Sequence, residues 1–567
     1  MGRVCAIGLD AGSIDLIDEL CDAGELPTFA ALRTRSARTR LHSAPAHRDG
    51  MLWTQFITGR EASFDRAGFR CTFDPNTYAA WEDAAHYDDH GIRPFWETCH
   101  APTITFDVPR STISGSGVHV TAWGAHAPSY PRASEPRGLL REIDERFGVH
   151  PGFENEYACG WHDPKRLDRL VGALETGAER AGEISAFLMQ RFPDWQLFVM
   201  VMSESHSASE MMWHGVDPGH PLAEYDPEAR ARLTSVFQAM DRALATMLRA
   251  LRPDDTVFVF SLDGMRSSHG DLPSIVLLPE LMHRDQIGTP LLRDPDQAAW
   301  RRAGCPPLIP RRGVPWRHEM DRSLVHQPAR SHVQRVQRTR AYEAARNSPP
   351  GRWVVERVKH APVGAFGIPI LPESDARPEA MEAKRDRADE MLFLGNYQPY
   401  WHRMRSFVLP TFGDAYLRIN LRGRERDGRV AVEEYDDERR RIDVLVHACR
   451  DPRTGEPVAE DIQWLDAHAA SDRNGRQYAD GVVHWSHPTD AFEHPELGMV
   501  GPFPLHRTGT HHETGFVWAA GPGVVPGNLD DRPVLDLAPT ILHVLDPDAA
   551  LPPSGTPIAI AQSTRLP

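Results

Sequence analysis

Short apolar runs, each closed by polar residues, recur along this chain. Residues 197–202 read Leu-Phe-Val-Met-Val-Met without a break, and an unbroken run of that length fits a parallel strand buried on both faces. Residues 3–9, 103–109, 256–261 and 516–520 are similar. Between them the period changes to that of helices. Ile14, Leu16, Ile17 and Leu20 form one apolar face, Gly24 closes it, and Leu26-Pro27 opens the next element. Residues 53–57 predict a helix stopped by Gly59, and 163–192 and 233–251 carry longer helical patterns. The alternation is that of an α/β fold.

Polar clusters stand where these strands end, and open α/β sheets place their ligands at the carboxyl ends of strands. After the 197–202 run come Ser203-Glu204-Ser205-His206-Ser207-Ala208-Ser209-Glu210. In a helix His206 and Glu210 fall at i and i+4 on one face, able to share a metal ion. The plainer reading is a polar helix start, with Ser203 or Ser205 as N-cap and His206 solvated. Asp10 follows the first strand directly and is a candidate metal ligand or an N-cap; Asp263, beside Gly264, repeats that arrangement. His126 follows a glycine-rich turn and is a candidate for a substrate pocket, or a loop histidine with a structural hydrogen bond. Gly509-Thr510-His511-His512-Glu513 precedes the last strong strand.

The middle breaks the pattern. Residues from about 280 to 405 are rich in Pro, Arg and Trp and show no strand–helix alternation, which predicts an insertion: a lid, or an arm through which copies of the chain form a homo-oligomer. Arg301-Arg302, Arg311-Arg312 and the basic residues of 335–340 lie here. Most are expected to be solvated, and a few facing a pocket could hold an anion by bidentate contact. Strand-like alternation resumes at 415–421, and the chain ends in a Pro-rich stretch.

Composition narrows the function. A net charge of −16 over 567 residues argues against nucleic acid as partner, since phosphate backbones are bound by excess Lys and Arg. A small anionic substrate stays open, because metal ions can supply local positive charge. The seven cysteines include no C-x-x-C pair, which favours a reducing cytoplasm over a disulfide framework. No leader-like segment and no membrane-spanning run is read, so a cytoplasmic protein is expected.

Taken in order, several stretches resemble the type I phosphodiesterase/nucleotide pyrophosphatase branch of the alkaline phosphatase superfamily. They are Gly8-Leu9-Asp10 with Leu26-Pro27, residues 53–59, the block from His206 to Trp213, and Phe260-Ser261-Leu262-Asp263-Gly264-Met265. To these are added Arg418 to Glu425, His511 to Gly515 with Gly521-Pro522-Gly523, and residues 536–542. The resemblance covers about 1–270 and 405–560. It implies a mostly parallel central sheet with helices on both faces and two divalent metals, Zn, Mn or Fe, above the strand ends. Residues 1–280 and 405–560 would then form one catalytic domain, 281–404 the insertion, and 551–567 a Pro-rich tail.

The chain departs from that family's ligand pattern. Asp10 and His511 match it. His206 stands where Asp is usual, Glu210 and Asp263 where His is usual, and Leu262 replaces a further Asp. The nucleophile slot falls on Asp49. The resemblance thus implies one site of His206, Glu210 and His511 and a second of Asp10, Asp49 and Asp263. Stand-ins for Asp49, or substrate-binding residues, are Glu204, His269 and His512, with His126. Exchanging ligands for other ligands implies a working metalloenzyme. The first expectation is hydrolysis or transfer of a phosphate or sulfate ester of a small, nucleotide-like molecule. The alternative is non-hydrolytic iron chemistry, because two imidazoles and one carboxylate also suit Fe(II).

Overall fold

The computed structural model describes residues 2–43, 52–61, 71–82, 91–99, 101–113, 115–124, 132–152, 160–314, 316–325, 393–410, 413–465 and 479–560. Asp49, His126 and the 335–340 basic patch lie outside the described residues, as does everything from 326 to 392.

Among the described residues, the centre is a ten-stranded sheet. Five of its strands form a parallel block in the order Thr256–Ser261, Val4–Leu9, Leu197–Met202, Thr103–Phe106, Val118–Thr121. Antiparallel strands close it on both sides: Ala133–Glu135 beyond 118–121, and Thr514–Ala520 beyond 256–261. Next to the latter lies Ala37–His42, flanked by two short strands.

The apolar runs exist because both faces of this sheet are covered. Side chains alternate between faces along a strand, and the first strand divides accordingly. Cys5, Ile7 and Leu9 enter one buried cluster, while Val4 and Ala6 enter the other. The 197–202 and 256–261 strands divide the same way, with Phe198, Met200 and Val259 on one side and Val199, Val201 and Phe260 on the other. Helices Pro164–Arg191 and Ala229–Ala250 bury their apolar stripes in the first cluster. Helices Leu52–Thr58 and Leu537–Leu545 do so in the second.

The strand read at 415–421 does form, at Ala415–Ile419, but not in the central sheet. It belongs to a separate four-stranded antiparallel sheet with Ser406–Leu409, Gly481–Trp485 and Ala459–Trp464. The described flanks of the 281–404 segment pack on the first cluster through Leu291, Leu292, Trp316, Met320, Phe393 and Trp401. Among the described residues no helix is long and apolar enough to cross a membrane.

Candidate metal site at the carboxyl edge of the sheet

Three adjacent strands, 256–261, 4–9 and 197–202, end side by side, and their polar sequels meet. Ser261 joins two of the ends. Its Oγ lies 2.6 Å from Leu9 O and 2.7 Å from Asp263 O, and accepts from Gly12 N at 2.9 Å. Ser205 joins the third by donating from Oγ to Asp10 O at 2.7 Å. Ser205 is therefore a strand-end clamp rather than an N-cap, and Ser203, at the N-cap position, makes no side-chain cap bond.

Asp10 is buried, and its Oδ1 accepts from Trp53 Nε1 at 2.9 Å. The indole reaches that far because residue 8 is glycine. A Cβ there would meet Trp53 Cη2 at 3.1 Å and Val201 Cγ2 at 3.0 Å. The helix Glu204–Met212 forms as the spacing predicts and is buried along its length. His206 Nε2 lies 3.1 Å from Glu210 Oε1, and its Nδ1 lies 3.8 Å from Asp10 Oδ2.

His511 comes from a two-stranded ribbon, Gly264–Ser267 paired with Gly509–His512, in which Met265 stands opposite His511. The ribbon lies close to the 204–212 helix, because a Cβ on Gly509 would come within 2.4 Å of Ser209 O. That approach brings the His511 and His206 rings to 4.7 Å between centroids. His511 Nδ1 bonds Asp263 Oδ2 at 2.6 Å. Burial works against protonating His511, but the Asp263 and Asp10 carboxylates outweigh it, and its pKa is raised.

Asp10, His206 with Glu210, Asp263 and His511 thus come together from four distant parts of the sequence. Within the group, His206, Glu210 and His511 present donor atoms that all lie within 4.8 Å of one another. Among the described residues, the buried Asp263 Oδ1 has no hydrogen-bond partner. Two imidazoles, a carboxylate and an orphaned carboxylate oxygen fit a divalent cation. Of the all-oxygen set, Asp10 and Asp263 join the cluster and Asp49 lies outside the described residues. Leu262 is fully buried in the second apolar cluster, away from any ligand role.

The remaining candidates sit around this group. Glu204 is buried and bonded through Oε1 to His150 Nε2 at 3.1 Å. His150 Nδ1 accepts from Gly152 N at 3.1 Å, so the neutral ring carries its proton on Nε2 and donates to Glu204. Nearby Asp107 is pushed up to about 7 by burial, against the Gly124 N–H. His269 lines a small cleft with Arg266, Gly413, Asp414, Thr510 and His511, and its Nδ1 bonds Ser267 O at 2.9 Å. His512 is half-buried, and its Nδ1 accepts from Thr514 N at 3.3 Å.

Sequence reasoning missed Arg507. Its Nη1 bonds Glu210 Oε1, and its Nε and Nη2 grip Asp271, the latter at 3.0 Å. The available signal was electrostatic: a glutamate on the buried face of a helix requires a cationic or hydrogen-bonding partner, but nothing local says which arginine supplies it.

No family model matches this chain, and no curated protein matches it. Among solved structures it is similar to phosphonoacetate hydrolase from Sinorhizobium meliloti 1021, at 12% identity over 95% of this chain and 94% of that one, with a TM-score of 0.41. It is also similar to murine ectonucleotide pyrophosphatase/phosphodiesterase 5, at 10% identity over 98% and 97%, TM-score 0.42. The human form of that protein gives 9% identity over 98% and 97%, TM-score 0.43. These neighbours are members of the nucleotide pyrophosphatase/phosphodiesterase branch of the alkaline phosphatase superfamily. The fold of the present chain is given by the strand order and ladder directions above, independently of these loose superpositions.

Proposed function

We propose that the protein is a metal-dependent hydrolase or transferase acting on a phosphate or sulfate ester of a small molecule. The observation that carries this reading is the meeting of Asp10, His206, Glu210, Asp263 and His511 where three neighbouring strands end. His206, Glu210 and His511 would hold the first divalent ion, and Asp10 and Asp263, with Asp49 on sequence grounds, a second. When bound, such ions supply Lewis acidity at the ester's anionic oxygens.

The chain's own residues supply the rest. Asp263 takes the Nδ1 side of His511 at 2.6 Å, which fixes the ring and leaves Nε2 as the donor nitrogen. Trp53 fixes Asp10 by its 2.9 Å bond to Oδ1. The cleft beside His511, walled by Arg266, His269 and Asp414, would receive the remainder of the ester. Asp49 occupies the slot in which the resembled family carries its nucleophile. The reading includes a cytoplasmic setting, supported by the free cysteines Cys5, Cys21, Cys99, Cys305 and Cys449.

The test is a panel of aryl and nucleotide phosphodiesters, phosphonates and sulfates, given to protein loaded with Zn, Mn or Fe. Turnover of at least one class is expected, falling to background in Asp10→Ala. Equal rates for wild type and that variant on every ester would end this reading. One observation favours a second reading, oxidative chemistry at iron: the close set is two imidazoles and one carboxylate. Stoichiometric iron with oxygen-dependent turnover would favour it over hydrolysis, and zinc alone would remove it.

A further inference from the structure

Glu210 belongs to a chain of buried ionic bonds that runs away from the site. Arg507 bonds Glu210 Oε1 through Nη1 and turns its Nε and Nη2 onto the two oxygens of Asp271. Asp271 is almost fully buried; its Oδ1 also accepts from Gly413 N at 2.8 Å, and its Oδ2 lies 3.4 Å from His506 Nδ1. Gly413 is held a second time by Ser274 Oγ, which donates to its carbonyl at 2.6 Å. The chain therefore reaches from a candidate metal ligand to the wall of the cleft.

The charges along it decide what Asp271 does. A guanidinium bonded to a metal-ligating carboxylate competes with the metal for the same oxygen and repels the cation. A second carboxylate on the far side of the guanidinium offsets that charge, and its two-point contact holds the arginine in one orientation. We propose that Asp271 is a positioning residue of the metal site, acting through Arg507 to keep Glu210 able to bind a divalent cation. The proposal rests on the metal reading above.

The test is metal affinity of the full-length, chelator-stripped protein, measured by titrating Mn(II) or Zn(II) against a chromophoric chelator, with melting temperature as the control for folding. Asp271→Asn leaves the Arg507 charge on Glu210 uncompensated, and affinity should fall at least tenfold. Arg507→Met removes the competitor, so this variant should bind no more weakly than wild type. The double variant Asp271→Asn/Arg507→Met should return to within about threefold of wild type. A purely structural strut behaves oppositely, since removing both partners would then cost at least as much as removing one. Asp271→Glu keeps the charge and should stay within about threefold of wild type.

Tenfold weaker binding in Arg507→Met, or a double variant no better than Asp271→Asn, overturns the proposal. If Asp271→Asn does not fold, the Arg507→Met and Asp271→Glu arms still decide it. Wild-type protein that binds metal but hydrolyses no ester overturns the hydrolase reading and leaves this one standing. Wild-type protein that takes up no metal overturns both.

Discussion

Two buried ionic clusters in this molecule are built from similar residues and balance their charge differently. In the second sheet, Glu425 is bonded by Arg418 Nε at 2.7 Å and Arg424 Nε at 3.0 Å. Asp480 takes both Nη groups of Arg424 at 2.8 Å, the Tyr435 hydroxyl at 2.8 Å and Ile419 N at 2.6 Å. Two carboxylates meet two guanidinium groups, and every carboxylate oxygen is bonded. At the sheet edge, Asp10, Glu210, Asp263 and Asp271 are met, among the described residues, by Arg507 and the imidazoles of His206, His506 and His511. Asp263 Oδ1 there has no hydrogen-bond partner among the described residues. A balanced cluster holds a fold together. A cluster with surplus negative charge and an orphaned oxygen is arranged for a cation.

Breaking the balanced cluster should give the largest effect. Glu425→Ala leaves Arg418, which is almost fully buried, without its carboxylate, and losing one partner of a buried pair costs about 3–5 kcal/mol. Chemical denaturation should show that loss, with the metal content of the folded fraction unchanged. Equal stability in the variant would mean that the charges of this network are not confined as described.

The edge cluster should respond in the other direction. Asp263→Ala removes the acceptor that fixes His511 Nδ1. Loss of such an outer partner typically weakens metal binding or activity by about 10–100-fold. Melting temperature without metal should change little, since the site carries more negative charge than its cations offset. A variant with wild-type metal affinity would show that Asp263 neither orients His511 nor binds metal.

How much of this could be read from the chain follows from where the constraints act. The runs 4–9, 197–202 and 256–261 were legible because burial on both faces forces continuous apolar sequence. The His206–Glu210 pair was legible because helical spacing alone brings the two together. Residues 37–42 were not read as a strand, because the positions they bury, Ala37, Thr39 and Leu41, carry little apolar weight between the arginines. The 415–419 strand was visible, but its sheet was not. Its alternation marked a strand, but all five of its residues are buried and its ladders are antiparallel, and the strands it pairs with are not encoded locally. Arg507 escaped because it bonds Asp271 from 236 residues away, a pairing that no local pattern encodes. The Arg418–Glu425 stretch was noticed as part of a family resemblance, and the structure gives it a physical role as half of the balanced cluster.

The smallest effect expected is a pH dependence that separates the two clusters. Asp480 has a lowered pKa, because its bonds to Arg424 outweigh its burial. Its contribution is complete above the ordinary carboxylate range near 3.9 and is lost only as pH falls through its depressed folded value. His511 is raised by Asp263, so its contribution in metal-free protein is complete below the ordinary imidazole value of about 6.5. That contribution is lost as pH rises through its raised folded value. Above pH 5, therefore, the Asp480 network should be silent while His511 titrates. Comparing metal-free wild type with His511→Gln, the melting temperatures should differ by on the order of a degree at pH 6 and converge as pH increases. Metal affinity should rise across the same interval, because His511 must shed its proton to serve as a ligand. A difference that stays constant from pH 5 to pH 9 would mean that Asp263 does not hold a proton on His511, and the orientation argued for that ring would go with it.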